Sequence, residues 1–381
     1  MKKDIGIITH LYKSTNYGGV LQAYALCKYL NEQGYSAEQI QYEKKELTTV
    51  RKKVGKIYRT LRRIGRRMRN VDIYEKIESR KIKFEKFKQN NICQSSIVYK
   101  ENNLKQVSSE YRMFITGSDQ VWHPNAVCNA YLLSFGLSGV KKISYAASVA
   151  KDSLTKEQSD LFREAFEDFQ AISVREKSTV DLLQPLSPVD VQWVLDPVFL
   201  LSSDVWSKSV GEKINRDKYV FCYFLGESIG QREVIRDYAK KQNLNVVSLA
   251  YLNNDYNVYD GAFPGEKVID ADPMDFVRLI RDAEVIFTDS FHAMAFSLIF
   301  KKEFWVFERE SKSTMSSRIL SLAELYGVQN RFLDDEQKLD IDTLINMYPI
   351  DYEHSKTNIK DMQLKSTRFL KYNIGACLGE S

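Results

Sequence analysis

What this chain lacks narrows its class before any motif is read. Its five cysteines (Cys27, Cys93, Cys128, Cys222 and Cys377) are odd in number, widely spaced and never set as CxxC, so neither a disulfide framework nor a zinc knuckle is encoded. That usage predicts a reduced, cytoplasmic protein. No run reaches the roughly 18 to 20 apolar residues that cross a bilayer, and the opening MKKDIGIITHLYKSTNYGG meets polar residues too early for a signal-peptide core. Neither a membrane span nor export is expected. GxGxxG, GxxxxGK[ST] and HExxH are all missing, which argues against nicotinamide, P-loop and common zinc hydrolase chemistry. Four histidines (His10, His123, His292 and His354), none paired at helical spacing, leave little for a metal site. A net charge of +5 over 381 residues is too weak to imply a nucleic-acid partner.

What is present is the composition of a folded protein. Hydrophobic residues make up 44% and charged ones 28%, which excludes a disordered or collagen-like polymer. At ~150 residues per domain the length predicts two to three domains. The stretch from Asp4 to Thr9 reads as an apolar strand, the next loop ends in Asn16-Tyr17-Gly18-Gly19, and VLQAYALCKYLNEQG has helical spacing stopped by Gly34. A strand from Ala37 to Tyr42 completes βαβ, the unit of a parallel doubly wound sheet. Further strands are expected at 112–116, 142–147, 171–174 and 191–195. After Asp196-Pro197 the pattern restarts, with strands at 219–225, 245–250, 284–288 and 303–307 alternating with helices at 231–242, 275–283, 291–300 and 317–327. Two Rossmann-like α/β domains facing across a cleft are therefore predicted, spanning 1–201 and 202–345, with a tail of 346–381 packing back on the first. Such folds bind ligands at the carboxyl ends of their strands.

One segment departs from this scheme, an insertion at about 44–90. Between Lys44 and Arg69 stand twelve basic residues against the single acid Glu46. Val50, Val54, Ile57, Leu61, Ile64, Met68 and Val71 are threaded among them at alternating spacings of four and three, so one helix carries an apolar stripe and a cationic face. Two readings stand side by side: a helix packed on its own domain with solvated charge, or one lying on an anionic membrane surface or acidic partner. Nucleic acid ranks behind both, because only Tyr58 offers an aromatic ring for base stacking.

The chemistry-bearing residues sit at predicted strand ends. Glu284-Val-Ile-Phe-Thr288-Asp289-Ser290-Phe291-His292 runs an apolar strand into a helix start. Asp289 or Ser290 is expected to cap that helix, so the amides of residues 290 to 292 form an anion site. In its first turn His292 would hold a phosphate or deliver a proton, the plainer alternative being a packed histidine beneath an ordinary cap. Arg175 follows the strand 171–174 of the other domain, and Arg318 stands near the start of a later helix; guanidinium forks suit phosphate or carboxylate. Asn16, Tyr17, Gly18 and Gly19 mark a second loop where backbone can approach a ligand. In Gly117-Ser118-Asp119-Gln120-Val121-Trp122, Asp119 could accept a proton from a sugar hydroxyl and Trp122 could offer its face to a pyranose ring; the same residues also suit a structural turn.

Taken together, NYGGVLQAYAL, ITGSDQVW, ISYAAS, ISVREKST, VLDPVFLL, VIFTDSFHAMAFSLIF and SSRIL, in that order over roughly residues 4–335, resemble the polysaccharide pyruvyl transferase family. The resemblance implies a glycosyltransferase-B-like fold and an enzyme of surface polysaccharide biosynthesis, such as exopolysaccharide or capsule. In that family phosphoenolpyruvate is the co-substrate, and pyruvate is placed as a ketal across two hydroxyls of a hexose in a glycan or lipid-linked oligosaccharide. Residue by residue it implies donor binding by Arg175 and His292, with Ser290 and Arg318 beside them, His292 as general acid and Asp119 as base. On the acceptor side stand Asn16, Tyr17, Gly18, Gly19, Ser118 and Trp122. Relatives often carry a basic residue before the histidine, where this chain has Phe291; that departure gives Arg318 more weight. No metal and no organic cofactor is expected, and a lipid-linked acceptor would place the protein at the inner face of the cell membrane. A nucleotide-sugar glycosyltransferase of the same architecture and a non-catalytic polysaccharide-binding protein are the competing expectations.

Overall fold

The computed structural model describes residues 2–44, 70–125, 127–136, 139–213, 216–252, 258–309, 316–333 and 340–379. The basic stretch expected to form an amphipathic helix lies largely outside them. Apolar runs build a first sheet of β1 (Lys3–Ile8), β2 (Ala37–Tyr42), β3 (Gln94–Tyr99), β4 (Tyr111–Thr116) and β5 (Lys141–Ser144), in the spatial order β3-β2-β1-β4-β5. Every pairing is parallel. A parallel pair, β6 (Ile172–Val174) and β7 (Val191–Trp193), joins it through bridges from Ile143 to Ala171 and from Ala147 to Val174. The second sheet holds β8 (Tyr219–Tyr223), β9 (Asn245–Leu249), β10 (Glu266–Val268), β11 (Val285–Thr288), β12 (Glu303–Phe307) and β13 (Phe332–Leu333), ordered β10-β9-β8-β11-β12-β13 and again parallel. In each sheet the strand order reverses beside the first strand, the switch point at which doubly wound folds open a crevice.

Seven helices position the site: α1 (Tyr17–Glu32), α2 (Val71–Asn91), α3 (Lys177–Leu183), α4 (Pro273–Asp282), α5 (Phe291–Ile299), α6 (Ser316–Tyr326) and α7 (Lys356–Leu378). One continuous core cluster runs from Ile5 and Val20 under the first sheet, through Tyr17, to Phe276 and Phe296 beneath the second. The two sheets therefore share buried apolar surface beside the crevice, worth about 25 cal/mol per Å² removed from water. Helix α2 strengthens this junction. Its Phe84 and Phe87 join that cluster, Tyr74 and Ile77 pack with Ala250 and Ile269 of the second lobe, and Lys83 pairs with Asp270 at 2.7 Å. Helix α7 returns to the first sheet. Ser366 accepts the Leu195 amide at 2.9 Å, Phe369 packs near Tyr145, and the Leu378 carbonyl accepts from Arg112 at 2.7 Å.

Candidate active site

The carboxyl ends of β1, β4, β6, β11 and β12 all feed loops into one crevice. On the second lobe, Ser290 occupies the N-cap of α5 but its side chain makes no capping bond. Asp289 does not cap either. Its carboxylate accepts the amides of Leu225 at 2.8 Å and Gly226 at 2.7 Å and lies 3.3 Å from Arg309 Nε. The expected side-chain cap is thus absent, because a buried carboxylate takes the donors that reach it and those come from the end of β8. Burial pushes the Asp289 carboxyl up, against the pull of Arg309 and the two amides. The Ser290 amide is used by Thr288 Oγ1 at 3.0 Å. The following amides of the first helical turn have no partner within the helix, which gives that end its partial positive charge.

Arg175 emerges from β6 almost completely buried and donates from Nη1 to Asp196 Oδ2 at 2.7 Å. Its Nε lies 3.6 Å from Glu176 and its Nη2 3.8 Å from Asp119. Asp196 is the hub of the arrangement. Oδ1 accepts the Val198 amide at 3.1 Å, while Oδ2 also lies 3.2 Å from Ser118 Oγ and 3.6 Å from His292 Nε2. Burial would raise the Asp196 carboxyl, but His292 and Arg175 outweigh it and hold the group well below the usual carboxylate range. Arg318, from the first turn of α6, reaches to 4.0 Å from Glu176. Burial first, and then the nearby Arg175 charge, bring its guanidinium down to about 10.

Phe291 explains how two arginines share this space. Its ring lies 4.7 Å from the Arg175 guanidinium carbon and 6.0 Å from that of Arg318, so the π face contacts both cations. Gly18 brings the lobes into contact, since a Cβ there would fall 1.9 Å from His292 Nδ1. The amino end of α1 is thus pressed against the imidazole, and only a residue without a side chain fits. Nε and Nη2 of Arg175, Nε of Arg318 and Nε2 of His292 are buried and make no hydrogen bond within the protein. A buried donor left unmade costs about 1–3 kcal/mol, and what these nitrogens have beside them are carboxylates at 3.6 to 4.0 Å, beyond hydrogen-bond distance.

The acceptor-side expectations divide. Gly19 lines the crevice, with its Cβ position 3.0 Å from Asp119 Oδ2. Asn16 is exposed at the rim, where its Oδ1 caps α1 by accepting the Gly19 amide at 2.9 Å. Ser118 is spent inside, its hydroxyl donating to Ala146 O at 2.7 Å. Asp119 is half-buried with φ 66; burial raises its carboxyl, and Arg175, His10 and His292 more than reverse that. Tyr17 and Trp122 require correction. Tyr17 is fully buried; its hydroxyl donates to Ala271 O at 2.9 Å and accepts from Arg80 at 3.0 Å, and its ring stacks on Phe276. Trp122 is equally enclosed, against Phe162, Phe166 and Phe169, with its indole N–H on Tyr131 O at 3.1 Å. Neither ring presents a face to a sugar, because each holds more stabilising apolar area in the core than a rim position would give it.

Asp196, Glu176 and Arg309 were not singled out from sequence. Asp196 and Glu176 lie inside VLDPVFLL and ISVREKST, the first after the apolar run that ends at Leu195 and the second next to Arg175, and that position is the available signal. Among the described residues, no group of three His, Cys, Asp or Glu side chains is placed to hold a metal ion, and no helix is long and apolar enough to cross a membrane.

Paired open parallel sheets with a site between their carboxyl ends define a glycosyltransferase-B-type architecture, and solved structures share it. The chain is 12% identical to S. aureus MnaA in complex with UDP (TM-score 0.55, covering 100% of this chain and 98% of that one). It is 11% identical to the UDP-GlcNAc 2-epimerase of Methanocaldococcus jannaschii (TM-score 0.55, 96% and 100%). A Listeria monocytogenes protein assigned as a UDP-N-acetylglucosamine 2-epimerase aligns at TM-score 0.58 with 11% identity over 97% and 95% of the two chains. These likenesses establish the fold. A search of curated proteins finds no match to the sequence. The polysaccharide pyruvyl transferase family profile matches residues 16–311, most of the chain, and the protein belongs to that family. The family makes it a transferase of polysaccharide biosynthesis.

Proposed function

We propose that the protein transfers the pyruvyl group of phosphoenolpyruvate to two hydroxyls of a hexose, in a surface polysaccharide or its lipid-linked precursor, forming a ketal and releasing phosphate. The observation that carries this reading is the set of unpaired buried donors on Arg175, Arg318 and His292, gathered at the amino end of α5. Phosphoenolpyruvate holds a phosphate and a carboxylate on adjoining atoms, and its density of negative charge suits guanidinium forks and helix amides. His292 delivers a proton to the enol methylene, with Asp196 as the countercharge when the imidazole is protonated. The central carbon becomes electrophilic, and the first sugar hydroxyl adds to it. Phosphate then departs, and the second hydroxyl closes the ketal. Of the two hydroxyl protons, one is accounted for by the new methyl group and the other by hydrogen phosphate. In this reading Asp119, 3.8 Å from Arg175, orients the attacking hydroxyl. None of these steps calls for a metal or organic cofactor.

Incubating the protein with phosphoenolpyruvate and candidate hexose glycans tests the reading by mass spectrometry and phosphate release. A pyruvate ketal on the glycan, formed in equal amount to phosphate, is expected. Phosphate without ketal, or a glycosyl group transferred from a nucleotide sugar instead, would overturn it.

A further inference from the structure

His10 stands just beyond the end of β1, on the first-lobe side of the crevice, and nothing in the proposed donor chemistry uses it. Its ring meets Tyr131 edge-on at 4.4 Å, and Nε2 lies 3.2 Å from the main-chain carbonyl of Gln120. That carbonyl can only accept, so Nε2 carries the hydrogen in the neutral ring and Nδ1 keeps its lone pair. Asp119 directly precedes Gln120 and lies 3.8 Å from Arg175 Nη2, and its carboxylate acts electrostatically on both His10 and His292.

The loop that carries these groups is fixed. The Gly117 amide bonds the Ile8 carbonyl at 3.2 Å, Thr9 Oγ1 donates to Ser118 O at 2.9 Å, and the Ser118 amide donates to Gln22 at 3.1 Å. Gln120 extends the arrangement across the crevice. With its amide oxygen turned toward α6, it accepts from both terminal nitrogens of Arg318 at 3.0 Å. One residue therefore holds the His10 imidazole through its backbone and a donor-side arginine through its side chain.

We propose that His10 is the proton acceptor on the acceptor side of the site: Nδ1 takes the proton of the sugar hydroxyl that Asp119 orients, while His292 supplies the proton to the donor. This rests on the pyruvyl-transfer reading. The bond that forms is between the hydroxyl oxygen and the central carbon of the enol ester; the bond that breaks is O–H, with its proton on His10. That proton then leaves with the phosphate, so His10 returns to the neutral form, and the proton released when the second hydroxyl closes the ketal restores His292. Asp119 is the poorer base of the two, since Arg175 and both imidazoles hold its carboxyl low. Burial also lowers His10 from its ordinary value of 6.5, with Lys44 acting in the same direction and Asp119 opposing. Tyr131 contributes an edge-on ring to the same surroundings. The imidazole is accordingly neutral at neutral pH, and activity requiring its free lone pair is lost on acidification, at a pH lower than for an ordinary histidine.

The test compares wild type with His10→Gln and His10→Asn, measuring phosphoenolpyruvate binding by calorimetry and turnover across pH. The expected result is unchanged donor affinity and melting temperature, little change in acceptor KM, and kcat lower by about 100- to 10,000-fold, the range of general-base contributions. The acid limb of the kcat profile should disappear with it. Turnover within about threefold of wild type, or the same acid limb in both variants, would overturn the proposal. A wild type that binds no phosphoenolpyruvate would instead remove the underlying reading, and this proposal with it.

Discussion

At the scale of the residue, the site depends on close approaches. Gly18 is the sharpest case. Alanine there would force His292 aside, at a cost of about 1–3 kcal/mol typical of overpacking. We expect Gly18→Ala to lower the melting temperature and to lose turnover together, whereas Gly261→Ala, where an added Cβ meets nothing within 4 Å, should change neither. Equal melting temperatures and full activity in Gly18→Ala would contradict the placement of His292. The sequence made Arg175 visible because it directly follows an apolar strand, and His292 because it falls in the first turn of the helix that a strand runs into. It could not show that Asp196 links them, since that hub comes from three separate segments meeting through Ser118, Arg175 and His292. Nor could it tell Trp122 from a sugar platform, because an indole after a strand looks the same whether it turns inward or out.

At the scale of the element, strand positions were legible: β12 as an apolar run and β2 as the strand that completes the first βαβ unit fall on the expected residues, and most others within a few. Those missed have physical reasons. β3 is the edge strand Gln-Ser-Ser-Ile-Val-Tyr, too polar to read as an apolar run, while β10 and β13 span only three and two residues. Helix α2 shows a tie that periodicity hides. Arg80 donates from Nε to the Tyr17 hydroxyl at 3.0 Å and from Nη2 to Thr15 O at 2.6 Å, so this helix holds the loop that opens α1. Directly before it in the chain stands the basic stretch, for which we propose an anionic membrane surface. Basic residues near such a surface contribute about 1 kcal/mol each. Deleting residues 46–70, which removes all of the twelve except Lys44 and Lys45, is expected to abolish co-sedimentation with anionic lipid vesicles. Sedimentation equal to that of the full chain would reject membrane docking.

At the scale of the whole molecule, two parallel sheets share one core, so the crevice has walls fixed by packing on both sides. The alternation of strand and helix announced this architecture. The particular junction of Tyr17 on Phe276 did not appear in the pattern, being a meeting of residues far apart in the chain. The central claim is that this crevice binds phosphoenolpyruvate through Arg175, Arg318 and His292. Arg318 is the informative position, because burial and Arg175 already disfavour its charge, whereas removing Arg175 would strand the buried Asp196. Calorimetric titration of wild type and Arg318→Gln with phosphoenolpyruvate, and with UDP-N-acetylglucosamine as a control, tests the claim most directly. The account predicts saturable binding of phosphoenolpyruvate alone, weakened about 10-fold or more in the variant, in line with the roughly 1.5–3 kcal/mol of one charge-assisted hydrogen bond. No saturable heat with phosphoenolpyruvate, binding unaltered in Arg318→Gln, or preference for the nucleotide sugar would contradict it.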